Sequence, residues 1–120
     1  MADNFVSEQM NYPVVFKGMT KFEIRKLTEK YVGMSCGFLG TFKSHVDLSN
    51  FYLDCDIDID SRDYEGTNAQ RFVKILENSL PKIQAKIIQG ILERHPVESA
   101  KHRTPELHHE LMAIIKRLRS

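Results

Sequence analysis

The run Asp54-Cys55-Asp56-Ile57-Asp58-Ile59-Asp60 sets four carboxylates in alternation with three apolar residues, and Asp63 and Glu65 follow before Gly66. From Asp54 to Glu65 six acids meet one base, Arg62, for a local charge of −5. The whole chain is +1, so the other residues together carry +6. Such a concentration of carboxylate can do one of three things. It can hold a cation, meet a basic partner, or keep an edge of the fold solvated. Calcium and magnesium take several oxygen ligands. Asp54, Asp56, Asp58 and Asp60 are therefore the candidate set for Ca2+ or Mg2+.

The calcium-loop template asks for acids at its first, third and fifth positions, a glycine at the sixth and a glutamate at the twelfth. A frame from Asp54 keeps Glu65 at the end but places Ile59 at the turn. A frame from Asp56 places Ser61 and Thr67 at those two positions. The run is not an EF-hand. Its main expected use is a partner-binding surface made by Asp54, Asp56, Asp58, Asp60, Asp63 and Glu65. Charges along an exposed edge also discourage unwanted strand pairing.

Other reactive residues form weaker patterns. Arg103 and His108 have the Arg-x4-His spacing that resembles the ribonuclease motif of HEPN domains. That resemblance implies a histidine for proton transfer and an arginine for phosphate stabilisation. The competing reading is a helix whose buried side is set by Leu107 and Leu111. His108-His109-Glu110 lacks the order of a zinc protease motif. Cys36 lies near glycines, but no histidine or aspartate can be assigned to it. Cys55 reads as core-facing. Gly33, Gly37 and Gly40 match neither a dinucleotide fingerprint nor a P-loop. Lys101, Arg103, Lys116, Arg117 and Arg119 could touch phosphates, but no aromatic residues interleave there for base stacking.

These residues need a scaffold, and helical periodicity supplies most of it. Thr20 and Glu23 form a capping box, with Phe22, Leu27 and Tyr31 as a stripe, Ile24 beside them and Gly33 as the stop. Phe38 and Leu39 are expected as core anchors in the glycine-rich loop. Ser44 to Asp47 opens a second helix carrying Leu48, Phe51 and Tyr52. The alternation after it predicts a segment extended across the core from Asp54 to Asp60, with Cys55, Ile57 and Ile59 on one face. A second capping box, Thr67 to Gln70, opens a helix with Ala69, Phe72, Val73, Leu76 and Leu80 on one side. Pro81 starts the next, with Ile83, Ile87, Ile88, Ile91 and Leu92. Gly90 either weakens that helix or admits a close neighbour. His95-Pro96 stops it. Thr104-Pro105 caps the last helix, whose seam is Leu107, Leu111, Ile114 and Leu118.

The expected fold is mostly α: a compact bundle of four to five short helices with one extended acidic segment. Residues 1–19 form a lead-in, with Val14-Val15-Phe16 packing on the domain, and 20–120 form a single domain. With 120 residues, 42% of them apolar, a core needs no disulfides. A net charge of +1 argues against a broad nucleic-acid-coating surface. No apolar run reaches a membrane span, and the N-terminus lacks the pattern of a signal peptide. The expectation is a cytoplasmic protein with two free thiols.

Tyr31-Val32-Gly33, Gly37-Phe38-Leu39-Gly40, Phe51-Tyr52, Asp56-Ile57-Asp58, Glu65-Gly66-Thr67, Arg71-Phe72 with Ile75-Leu76, and Gly90 to Pro96 run in one order. Over residues 21–97 this resembles a small domain at the front of bacterial abortive-infection and related phage-defence proteins. The resemblance implies a non-catalytic accessory domain that senses, assembles or positions a toxic effector. That effector domain would lie in the same or another chain. The partner would be a protein or a second copy of the chain. The resemblance carries no catalytic residue. The alternative is a small ribonuclease, using Arg103 and His108 or a metal at the Asp cluster.

Overall fold

The structure is a computed structural model, and it describes residues 18–33 and 45–120. Val14-Val15-Phe16, Cys36, Phe38 and Leu39 lie outside the described residues. Among the described residues five α-helices surround one apolar core: α1 (Lys21–Arg25), α2 (His45–Asp54), α3 (Asn68–Asn78), α4 (Pro81–Arg94) and α5 (Pro105–Arg119). A π-helical turn, Lys26–Val32, extends α1, and short 3-10 turns stand at Ser61–Asp63 and Val97–Ser99. No strand occurs among the described residues. The mostly α expectation holds.

Local chemistry accounts for the helix ends. Both capping boxes form. The Thr20 hydroxyl accepts from the Glu23 amide while the Glu23 carboxylate accepts from the Thr20 amide, and Thr67 and Gln70 do the same. Each satisfies two amides that a helix start leaves bare. Thr104 accepts from the Leu107 amide and Pro105 takes the first helical position. Gly33 closes the π turn at φ 82°, its amide donating to the Thr28 carbonyl at 3.0 Å.

Two apolar positions depart from the expected stripes. Phe22 is 81% exposed although Ile24, Leu27 and Tyr31 are buried. At 3.6 residues per turn it lies about 200° round the helix from Ile24, on the far side. Leu80 is 74% exposed. α3 ends at Asn78, so Leu80 sits in the junction as the residue before Pro81 and no longer follows the helical period.

α4 and α5 form the principal helix pair. Tyr52, Phe72 and Phe51 fill the centre, with ring centroids 5.3 to 6.5 Å apart. Two buried tyrosines are treated differently. The Tyr31 hydroxyl donates to the His95 carbonyl at 2.6 Å, whereas the buried Tyr52 hydroxyl has no hydrogen-bond partner among the described residues. A made hydrogen bond contributes about 1 kcal/mol and an unmade buried one costs about 1–3 kcal/mol. Tyr31→Phe is therefore expected to destabilise by about 1 kcal/mol. Tyr52→Phe is expected to leave stability unchanged or raise it. Urea unfolding of the two variants reads the difference, and a loss on Tyr52→Phe matching that on Tyr31→Phe would contradict it.

Candidate functional site: the acidic link between α2 and α3

The acidic run is not extended from its start. α2 continues through Asp54, and the chain then reverses at Cys55 and Asp56. The Ile57 amide donates to the Tyr52 carbonyl at 2.9 Å and the Asp56 amide to the Leu53 carbonyl at 2.9 Å. This is the Schellman pattern, in which the residue after the cap adopts a left-handed conformation. Asp56 fills that position at φ 62°. Tyr52 and Ile57 supply the buried apolar pair that accompanies the motif. Residues 57–60 belong to no helix or strand: the Ile59 amide donates to the Ile57 carbonyl at 3.1 Å, and Asp60 is extended at φ −100° and ψ 115°. The local hydrogen bonding of a helix end has overridden the alternating pattern.

The rest of the link is pinned. The Ser61 amide donates to Ser49 Oγ at 3.0 Å, and the two hydroxyls lie 2.8 Å apart. Asp60 accepts from the Arg62 amide at 2.9 Å and from its guanidinium at 2.7 to 3.1 Å. That grip holds the Asp60 carboxyl far below the usual carboxylate range. Further on, Arg71 Nε donates to the Tyr64 carbonyl at 2.7 Å and Lys74 Nζ to the Glu65 carbonyl at 3.0 Å. The link therefore has a backbone fixed to α2 at one end and to α3 at the other. Its side chains are presented rather than free to roam.

The six acids do not share one face. Asp54 and Asp56 line a cleft of about 470 Å³ together with Lys86, Arg94 and Arg119, and Arg94 pairs with Asp47 at 3.2 Å. Lys86 Nζ is 3.9 Å from Asp56. Asp58 and Asp60 line a different groove, of about 400 Å³, beside Val46 and Leu53. Asp60 is paired with Arg62. Among the described residues Asp54, Asp58, Asp63 and Glu65 form no ion pair, and all four are exposed. Val46 and Leu53 are 54% and 60% exposed. These two apolar residues border the candidate surface, and the sequence stripe of α2 did not single them out. Their seven-residue spacing on the side of α2 opposite Leu48 was the available signal.

No group of three or more His, Cys, Asp or Glu that could hold a metal ion occurs among the described residues. The Schellman turn and the Asp60–Arg62 pair separate Asp54, Asp56, Asp58 and Asp60 between two grooves. Cys55 packs in the α2–α4 contact, half-buried, and burial pushes its thiol up to about 11, helped by the nearby Glu93 and Asp54 carboxylates. It is a thiol at neutral pH, not a nucleophilic thiolate.

Arg103 and His108 lie in and after the α4–α5 link, and neither lines the grooves of the acidic run. Arg103 Nε donates to the Tyr31 carbonyl at 2.9 Å and its NH1 donates to Ser99 Oγ at 2.7 Å. The guanidinium also stands 5.5 Å from the Tyr31 ring centroid. His102 Nε2 is 3.0 Å from the same Tyr31 carbonyl. Arg103 thus ties the end of the π turn to the α4–α5 link. His108 is half-buried, not solvent-facing, and its Nδ1 has no hydrogen-bond partner among the described residues.

His95 is the titratable group with a clear consequence here. Burial, with Arg103 and Arg94 adding repulsion, lowers it to about 4. Its free value is about 6.5, so the unfolded chain takes up the proton first. Stability is fully present above about 6.5 and falls as the pH drops toward about 4. Urea midpoints should decline over that window in the wild-type chain and decline less in His95→Gln. Equal slopes in the two proteins would contradict the assignment.

No helix among the described residues is long and apolar enough to cross a membrane. The fold and this surface define a small all-α bundle displaying an acidic, apolar-bordered link. Compared with known proteins, the chain matches no protein-family model, no curated protein and no solved structure.

Proposed function

We propose that this chain is a non-catalytic interaction domain that recognises a basic protein surface through the α2–α3 link. The carrying observation is the set of exposed carboxylates that form no ion pair among the described residues, Asp58, Asp63 and Glu65, on a backbone pinned at both ends. Charged groups held in place steer encounter and fix register, while exposed apolar neighbours add contact area. Val46 and Leu53 are those neighbours. The resemblance of residues 21–97 to domains of abortive-infection proteins gives the context: sensing or assembly in a bacterial anti-phage system, acting in the cytoplasm beside a separate effector.

The hydrogen bonds around Arg103 bear on the ribonuclease alternative. They engage its guanidinium in holding Tyr31, which leaves less of it to meet a phosphate. The reading therefore stays with interaction.

The test is capture from the native host with tagged wild type and with Asp58→Ala combined with Asp63→Ala. Asp56 is a poor choice for this purpose, because alanine there would be strained in the left-handed conformation. Loss of a stoichiometric protein partner in the double variant, with an unchanged circular dichroism melt, is the expected result. Undiminished capture would remove the acidic link from consideration.

A further inference from the structure

A second apolar groove lies away from the link, where the start of α4 meets the end of α5. Leu80, Pro81, Ile83 and Leu118 line about 540 Å³ of it, and Lys82 and Arg117 stand at its edge. Leu80 is 74% exposed, among the most exposed large apolar residues described. Arg117 is tied to Glu23 and to the Gly18 carbonyl. Lys82 forms no ion pair among the described residues. This groove is apolar with a basic rim.

The groove beside the acidic link has the opposite rim. Val46 and Leu53 are its exposed apolar residues, and Asp58 beside them forms no ion pair among the described residues. One copy of the chain therefore carries both halves of a complementary pair. In the first groove Asp60 and Arg62 offset each other, and in the second Arg117 is paired with Glu23, so Asp58 and Lys82 are the lining charges that form no ion pair among the described residues.

We infer that the acidic groove of one copy docks on the α4–α5 groove of a second copy. The occupant is argued from that charge complementarity, and the inference rests on the interaction-domain reading above while naming its partner. Docking would place Val46 and Leu53 against Leu80 and Ile83, with Asp58 facing Lys82. The two surfaces are different patches, so the contact is heterologous. Repeated head to tail, it builds a ring where the rotation closes and an open chain where it does not. Self-assembly of this kind would let an effector carried on each copy be brought together.

Light scattering on the full chain across a concentration series provides the test. The mass should rise from 13.9 kDa toward multiples of that value, and added salt should reverse the rise. Asp58→Lys and Lys82→Glu each place like charges across the contact, and each should weaken association by about ten-fold or more. Both positions are exposed, so both variants should melt like wild type. Mixing the two variants restores complementary charge across the contact and should restore the larger mass. A wild-type chain that stays at the monomer mass overturns the inference. So does assembly that neither variant weakens, and so does a mixture that stays monomeric. Should the wild type be monomeric yet still capture a different protein through Asp58 and Asp63, self-docking falls and the interaction-domain reading stands.

Discussion

Gly90→Val should cost about 3 kcal/mol or more, the upper range for forcing extra methyl groups into a packed contact. A Cβ at Gly90 would stand 2.3 Å from Cys55 Sγ and 3.1 Å from Phe51 Cε1. The sulfur is at the end of a short side chain and can turn aside. The Phe51 ring is 2% exposed and wedged against Tyr52 and Phe72, so it cannot. Helix propensity works the other way, since glycine inside a helix is about 1 kcal/mol worse than alanine. The steric term wins because α2 and α4 touch at this residue. For a domain of this size the loss is expected to lower Tm by about 10 °C or more. Gly90→Ala should lose less, and pairing it with Cys55→Ala should recover part of the loss. A Gly90→Val protein that melts with the wild type would mean that α2 does not sit this close to α4. The same contact sets the position of α2 and therefore of the acidic link that leaves it.

Phe72→Ala should cost about 3–5 kcal/mol, the usual range for emptying a buried aromatic site. Phe72 is fully buried, its ring 6.4 Å from Phe51 and 6.5 Å from Tyr52. Removing it leaves a cavity between α2 and α3, the two helices that anchor the link. Domains of this size are stable by only about 5–15 kcal/mol, so the variant should be partly unfolded at modest urea. Urea titration followed by circular dichroism measures it. A loss under about 1 kcal/mol would mean that the site collapses around the missing ring, contrary to the packing described.

The two variants probe parts of the fold that differ in how openly the sequence declares them. Phe72 sits in a stripe with Leu76 behind a capping box, and both features survive in the structure because they depend on residues three and four apart. Gly90 was ambiguous. A glycine in a helix reads equally as a weak point and as a contact, and only the approach of Phe51 and Cys55 shows that it is a contact.

Composition and periodicity alone determined that the chain is a helical bundle, where α1, α3, α4 and α5 start, and, Phe22 and Leu80 apart, which of the expected stripe residues are turned inward. These are properties of neighbouring residues, set by hydrogen bonds at helix ends and by the 3.6-residue repeat. The surface of interest was decided by tertiary structure. The alternation from Asp54 to Asp60 pointed to one extended acidic edge, but the Schellman turn at Asp56 broke it and sent the acids into two grooves. Lys86 lies 30 residues from Asp56 in the chain and still stands 3.9 Å from it. Which carboxylates remain without an ion pair depends on which distant bases the fold brings beside them, and no spacing within the run encodes that.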